Sequence, residues 1–370
     1  MELNLKVKPN LRIRAFYMFF VISATQIGVG ILGVPKYIFL DARQDSWVSV
    51  LIATAYMALV IAAMLYILNQ YKNADIFSIQ VDLFGKWIGK ILGTLYILFL
   101  ISALAIVLKT YIEVIQIFIY PTIPSYFMGL ILLSLMVYSV LGGIRIVVGV
   151  CFIFFFLSLW VLFLLYNPVM SMDMTHFQPV LNTSVVNLLK GAKSTTLSLL
   201  GIEILFIIYP FIENKNKLKK PVYFGAFFSA FIILLSTIIS IGYYSPLDFE
   251  KMDWAVLTLI KEVSFSFIER FDYIVVVEWF MIVLPTMAVY MWAITYGVKR
   301  LYAVSQKMTL YSISIALLIL TAIIKYDVFL QKVSSIVSNI GFWVIFVYPF
   351  VLLPFVIIKK RLRKKGVAKQ

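Results

Sequence analysis

Long runs of apolar residues, separated by short polar segments, make up most of the chain. A bilayer core is about 30 Å thick, so a helix needs about 20 apolar residues to cross it. Ten runs meet this requirement, and we number the predicted helices 1 to 10 from them: 15–39, 46–68, 88–119, 125–142, 145–166, 186–212, 221–244, 271–298, 308–324 and 334–358. The pattern therefore predicts an all-α membrane protein with ten transmembrane helices in a single polytopic domain, residues 1–370.

Composition and charge agree with this prediction. Of the 370 residues, 63% are hydrophobic and only 13% are charged, and the mean hydropathy is +1.00. These values exclude a water-soluble globular domain. The net charge of +15 does not indicate a nucleic-acid partner, because 22 of the 32 Lys and Arg residues fall on one side of the predicted bilayer. Such basic segments face the cytoplasm, so both termini are expected there. The basic cytoplasmic tail, 359–370, is read as a topology determinant, with anionic lipid or a partner domain as the alternative.

Helix 1 contains an unusual interruption, TQIGVGILGVP, at residues 25–35. Glycines 28, 30 and 33 and the following proline permit the helix to unwind. Exposed backbone at that depth is tolerated only where it lines a cavity or meets a ligand. The alternative is close packing of helices over small residues.

A matching interruption is expected in the second half of the chain. Helix 6, the counterpart of helix 1, has a hydroxyl-rich start, followed by Gly201 and a carboxylate, Glu203. Paired interruptions in halves of opposite topology predict a binding site near the bilayer midplane. We therefore expect two inverted five-helix repeats, about 11–166 and 186–358, with discontinuous helices 1 and 6.

Broken helices expose groups that suit a small zwitterion such as an amino acid. The start of the outer half of helix 1, expected near Gly30, offers N–H groups to a carboxylate. The carbonyl ends of the other half-helices suit an ammonium group. Mostly apolar walls favour a small apolar ligand. The candidate ligand-binding residues are Gly28, Val29, Gly30, Ile31, Tyr96, Leu100, Ile101, Leu199, Leu200, Gly201, Thr286, Tyr290 and Phe342.

Four of the ionisable residues inside the predicted helices are candidates for function, because a charge costs about 2.5–3.5 kcal/mol or more at the bilayer centre. Lys109 and Glu113 are four residues apart on helix 3 and can form an internal salt bridge or take part in coupling. Glu203 and Glu278 are interpreted as protonated carboxyls, proton-coupling groups or partners of a basic residue. Possible coupling residues are thus Lys109, Glu113, Glu203 and Glu278.

The loop between helices 7 and 8, residues 245–270, is the longest on the outer side. Its apolar residues recur at helical spacing and predict a short amphipathic helix, either a lid over the site or an interfacial anchor. These residues are Trp254, Leu257, Ile260, Val263 and Phe267.

Enzyme chemistry is not indicated. The single histidine, His176, has no metal ligands or nucleophile at a suitable spacing, and the single cysteine, Cys151, lies in an apolar run. We expect no cofactor, no metal and no catalytic residue.

Two stretches carry a resemblance to a known family: ATQIGVGILGVPKYIFLDARQDSWVSVLIA, residues 24–53, and YPTIPSYFMGLILLSLMVYSVLGGIRIVVG, residues 120–149. With the ten-helix layout, they resemble the GerAB-type spore germination B subunits of the amino acid, polyamine and organocation transporter superfamily. The resemblance covers about residues 9–358. It implies a LeuT/APC-like fold whose helix 1 glycines, here Gly28 and Gly30 with Val29 between them, bind the ligand carboxylate. Many transporters have a hydroxyl residue where this chain has Val29.

The resemblance also implies a role. Such proteins are ligand-sensing subunits of germinant receptors in the inner spore membrane, a specialised bacterial plasma membrane. They act with an A subunit and a lipoprotein C subunit and respond to amino acids, sugars or nucleosides. A germinant-sensing subunit is therefore the preferred hypothesis. A proton- or ion-coupled amino acid transporter of the same fold is the alternative, because one fold supports both functions.

Overall fold

The computed structural model describes residues 3–261, 271–323 and 328–367. Within these ranges the chain is helical, and the only strand-like pairing is one isolated parallel bridge between Ile13 and Ile212. The prediction of an all-α protein is therefore confirmed. Because backbone groups find no water in lipid, helices that satisfy their own hydrogen bonds are the expected solution.

The observed helices follow the predicted order. The first half comprises helix 1 as Met18–Gln26 and Val34–Ala42, helix 2 as Ser46–Gln70, helix 3 as Ile76–Phe118, helix 4 as Ser125–Leu141, and helix 5 as Ile144–Ser158 with its continuations Leu159–Leu165 and Tyr166–Met170. The second half comprises helix 6 as Val185–Ser198 and Ile202–Phe211, helix 7 as Lys219–Tyr243, helix 8 as Phe271–Glu278 and Phe280–Tyr302, helix 9 as Gln306–Ile323, and helix 10 as Val328–Gly341, Phe342–Val347 and Tyr348–Val367.

Several of these helices are long and apolar enough to cross a membrane. In the described part of the chain there are seven, or eight when the bent pair of helix 6 is counted as one span. Two shorter apolar helices, Ala15–Gln26 and Ser125–Leu141, coincide with the start of helix 1 and with helix 4. The protein is thus a multi-pass membrane protein, and the count of ten crossings stays a prediction.

Helices 3 and 10 extend beyond their predicted limits. Helix 3 begins at Ile76 rather than near residue 88, because the Asp75 side chain accepts a hydrogen bond from the Ser78 backbone N–H (2.7 Å) and caps it. The chain bends at Gly85, whose φ of 84° suits glycine. Helix 10 continues to Val367, so most of the basic tail is helical rather than a separate segment.

Helix 8 lies at the centre of the bundle. Every residue from Val283 to Gly297 is buried, and the helix packs against helices 1, 3, 4, 5 and 9. A helix that is apolar on all sides is expected in such a position. Helix 8 therefore forms part of the wall for any space near the break in helix 1.

The outer loop contains the predicted short helix, observed as Ala255–Lys261. Val263 and Phe267, which the prediction also placed on it, lie outside the described residues. The loop is attached to the outer half of helix 1, since Lys36 pairs with Asp253 (2.6 Å) and Arg43 pairs with Glu250. It thus lies against helix 1 just beyond the break.

Candidate functional site

Helix 1 is interrupted between Gln26 and Val34. Its inner half ends at Gln26, Ile27 adopts an extended conformation, and a short turn at Val29–Leu32 precedes the outer half. The sequence predicted a restart near Gly30, whereas the regular helix resumes at Val34 with Pro35 in its first turn. The proline suits that position because the first N–H groups of a helix have no partner within it.

Helix 6 is interrupted at the matching place. Its outer half ends at Ser198, and the two parts meet at 53°. Gly201 has a φ of 121°, which side chains rarely permit. A Cβ atom at this residue would also lie 2.7 Å from the Thr25 carbonyl oxygen. Only glycine fits where the two breaks meet.

Two side chains from helix 1 connect the breaks directly. The Gln26 side-chain amide donates to the Leu199 carbonyl (2.8 Å), and the Thr25 hydroxyl donates to the Gly201 carbonyl (3.2 Å). The side-chain amide oxygen of Gln26 is buried without a partner in the described structure. Sequence reasoning missed Gln26 and Thr25, although two polar residues immediately before a glycine cluster were an available signal.

Space remains beside the helix 1 glycines. A Cβ atom added to Gly28 would meet nothing within 4 Å, although the residue itself is buried. One added to Gly30, which is exposed, would meet only the Ser198 hydroxyl, at 3.6 Å. These glycines therefore border a gap between helices 1 and 6.

Glu203 closes the inner side of the helix 6 break. Its fully buried carboxylate accepts hydrogen bonds from the Gly201 backbone N–H (2.6 Å) and the Tyr290 hydroxyl (2.9 Å). The Tyr96 hydroxyl donates to the Glu203 backbone carbonyl (3.2 Å). The carboxylate thus accepts from a backbone N–H group at the start of the inner half of helix 6, where the helix dipole favours negative charge.

The remaining candidates occupy several positions around the breaks. Thr286 donates to the Ala24 carbonyl (2.5 Å) and so joins helix 8 to helix 1. Leu100, fully buried, and Ile101, half-buried, lie about one turn from Tyr96 on helix 3. Leu199 is also fully buried.

Helix 10 meets the helix 6 break through Gly341, where a Cβ atom would lie 3.0 Å from the Leu200 side chain. Phe342 follows, and the Lys193 ammonium lies 5.6 Å from the centre of its ring. The side chain of Val29 is buried, whereas that of Ile31 lines a different cavity, which includes no residue of helix 6. Ile31 therefore does not join the other candidates through its side chain.

Three ionisable candidates lie apart from the breaks. Lys109 and Glu113 are both buried on helix 3, close enough for their charges to interact. Glu278 ends the first part of helix 8, and both of its carboxylate oxygens lack hydrogen-bond partners among the described residues. The Trp160 indole approaches it outside hydrogen-bond geometry. Only Glu203 of the four is part of the site at the breaks.

The end of the bundle where helix 1 begins, called here the inner end, is closed by polar contacts. The buried Asp75 carboxylate accepts from the Tyr296 hydroxyl (2.5 Å) and the Arg300 guanidinium (2.9 Å). The Ile13 backbone N–H donates to the Phe211 carbonyl (2.8 Å), which joins the inner ends of helices 1 and 6. These contacts join the elements at the inner end, whereas Gly30, within the break, is exposed.

Solved structures with a similar arrangement include membrane transporters. MhsT in complex with L-phenylalanine has a TM-score of 0.63 and 12% identity, with 98% of both chains covered. A Na⁺-coupled sialic acid symporter in a substrate-bound outward-open state has a TM-score of 0.62 and 11% identity, covering 95% of this chain and 77% of the other. At such identities the likeness establishes the fold alone, a LeuT-like bundle with discontinuous helices 1 and 6.

Sequence comparison is more specific. Spore germination protein GerQB of Bacillus cereus is 30% identical over 95% of this chain and 98% of its own length. Spore germination protein B2 of Bacillus subtilis (strain 168) is 23% identical over 70% of this chain and 71% of its own. The family model described as spore germination protein matches residues 12–329, a range that includes both breaks and helices 1 to 9. The chain belongs to the spore germination protein family.

Proposed function

We propose that this protein is the ligand-sensing B subunit of a spore germinant receptor and that it binds a small germinant, an amino acid, between the breaks of helices 1 and 6. The observation that carries the proposal is the open space at Gly28 and Gly30, next to backbone N–H groups at the start of a helix segment. Such N–H groups bind anions, and a ligand carboxylate fits this chemistry.

The other end of the ligand is expected to meet carbonyl groups. The inner half of helix 1 ends at Gln26 and the outer half of helix 6 ends at Ser198, and the last carbonyls of a helix lack partners within it. A ligand ammonium group is the natural donor to such oxygens. The neighbouring walls, including Leu199 and Leu200, are apolar, which favours an amino acid with a small uncharged side chain.

Access and orientation follow from the closed inner end. With both termini in the cytoplasm, the exposed Gly30 faces the outer side of the inner spore membrane, from which a germinant arrives. A germinant bound between the broken helices 1 and 6 favours the arrangement of the bundle that binds it more tightly. This difference in affinity between two arrangements drives the conformational change. An A subunit and a lipoprotein C subunit receive this change as partners.

The site is tested by Gly30→Leu, which fills the gap beside Ser198. We expect spores carrying this variant to lose their germinant response while the protein remains in the membrane. The control is Gly149→Leu on helix 5, another glycine at which a Cβ atom would meet nothing within 4 Å. An unchanged dose response for Gly30→Leu, with normal protein level, refutes a germinant site at this position.

A coupled amino acid transporter is the second candidate, favoured by the transporter structures that share the fold. In that case Glu203, beneath the gap, is the first choice for a coupling group, and Glu278, Lys109 and Glu113 are the others. Purified protein in liposomes separates the two functions. Labelled alanine should not accumulate under a proton gradient if the protein is a sensor, and gradient-driven uptake that Glu203→Gln abolishes supports the transporter.

A further inference from the structure

A second cavity borders helix 1 and includes no residue of helix 6. It encloses about 80 Å³ between helices 1, 5, 7 and 8. Helix 1 contributes Ala24, Ile27, Ile31 and Ser23, whose hydroxyl donates to the Gly225 carbonyl. Its contacts to helix 6 come from Thr25 and Gln26. A molecule in this cavity would touch helix 1 at the same level as the break without entering the gap at Gly28.

The walls of the cavity are almost entirely apolar. Phe155 from helix 5 and Phe228 from helix 7 lie with their ring centres 5.2 Å apart, and isoleucine and leucine side chains cover most of the remaining surface. Apolar cavities of this kind stay dry and accept apolar molecules. The chemistry of the lining therefore selects against ions and against zwitterions such as amino acids.

One polar group in the wall has no partner. The Trp279 indole lines the cavity and is 4% exposed, and its ring N–H makes no hydrogen bond in the described structure. Native proteins leave few buried donors unpaired, since an unpaired donor costs about 1–3 kcal/mol. A ligand with one acceptor atom and an apolar body would satisfy this N–H group and fill the space.

The cavity is reached from the side of the bundle. Its rim residues Phe155, Phe228 and Leu162 are half-buried, and the neighbouring Phe156 and Phe163 on helix 5 are 53% and 80% exposed. Exposed aromatic side chains on a membrane helix face lipid. An apolar molecule dissolved in the bilayer can therefore enter between helices 5 and 7.

We propose that this cavity is a second binding site, for a small neutral amphiphile that enters from the bilayer and accepts a hydrogen bond from the Trp279 indole. A ketone with a short alkyl chain is the simplest molecule of this class. Such a ligand, if bound only by the present arrangement, stabilises helix 1 against helices 5 and 8. The proposal concerns a site separate from the germinant gap and is tested without any germinant.

The single cysteine of the chain provides the measurement. Cys151 is buried and lines the cavity, so N-ethylmaleimide reaches it in the folded protein only through that space. The slow rate of this modification therefore reports on occupancy of the cavity. In nanodiscs, 2-octanone should slow the modification of Cys151 by at least about fivefold, and the effect should saturate. Trp279→Phe, which loses one hydrogen bond, should raise the half-protecting concentration about two- to tenfold. Trp343→Phe is its control, because Trp343 is 63% exposed on helix 10.

A second pair of variants tests the space itself. Ser158→Leu adds bulk inside the cavity at a hydroxyl that bonds only to its own helix, and it should abolish protection by 2-octanone. Ser134→Leu is the control, since Ser134 makes the same bond on the exposed face of helix 4. Equal protection of all four variants and the unmodified protein would mean partition into the bilayer only and would overturn the proposal, as would a complete lack of protection.

Discussion

Replacing Gly201 with alanine should separate the two breaks and destabilise the protein. The added Cβ atom would lie 2.7 Å from the Thr25 carbonyl oxygen and 2.9 Å from the Thr25 Cβ atom, closer than Cβ atoms occur in proteins. The backbone φ of 121° also disfavours any residue with a side chain. Strain of this kind costs about 1–3 kcal/mol, and overpacking costs a similar amount.

We therefore expect Gly201→Ala to lower the free energy of unfolding by about 2–5 kcal/mol. Helix 1 must move by several tenths of an ångström, which lengthens the hydrogen bond from Gln26 to Leu199. Thermal unfolding of the purified protein can be followed with a thiol-reactive fluorophore, because labelling of the only cysteine, the buried Cys151, becomes much faster once helix 5 is accessible. The unfolding midpoint should fall clearly below that of the unmodified protein.

Gly28→Ala is the matched control. It adds the same methyl group to the other break, where the Cβ atom would meet nothing within 4 Å and φ is −127°. Its midpoint should stay close to that of the unmodified protein. If Gly201→Ala unfolds at the same temperature as Gly28→Ala, the close contact between the breaks is not required for stability and the reasoning fails.

The polar contacts around the bundle make three further predictions for the same thermal assay. Tyr290→Phe removes a donor from buried Glu203 and should cost about 1–3 kcal/mol. Asp75→Asn leaves the Arg300 guanidinium without its buried carboxylate and should cost about 3–5 kcal/mol. Arg363→Ala removes a pair at a half-exposed arginine and should cost less than about 1 kcal/mol.

Each of these predictions has a clear opposing result. Tyr302→Phe is the control for Tyr290→Phe, since Tyr302 is 44% exposed. If Tyr290→Phe matches this control, the tyrosine does not stabilise the carboxylate. If Asp75→Asn is no more harmful than Arg363→Ala, the inner end is not held closed by the buried pair.

The fold could be predicted from the sequence because its strongest signals are local. A glycine cluster predicted the break in helix 1, and Gly201 between a hydroxyl-rich start and Glu203 predicted the break in helix 6, since glycine suits backbone that departs from the helix within an apolar run. The start of helix 3 could not be predicted in this way. Residues 76–87 include Asp82 and Lys86, so their hydropathy suggests a loop, whereas capping by Asp75 and burial of Phe77 make them helical.

The hydrogen bonds at the site could not be predicted from the sequence. Tyr96, Glu203 and Tyr290 were each candidates, but their hydrogen bonds join residues about a hundred positions apart. The Gln26 side chain donates to the Leu199 carbonyl, which is free to accept because the outer half of helix 6 ends one residue earlier, at Ser198. The hydrophobic periodicity of a helix indicates which of its faces is buried. It does not indicate which residues from distant parts of the chain pack against that face.

Helix 10 connects the break in helix 6 with the end of the bundle at which helix 3 bends. It touches Leu200 through Gly341 and continues to Arg363, whose guanidinium donates to the Asp82 carboxylate (2.6 Å) at the bend of helix 3. At about 1.5 Å per residue, the part of helix 10 from Gly341 to Arg363 is roughly 30 Å long. A small tilt of helix 10 at Gly341 would therefore displace its basic end near Arg363 by a larger distance.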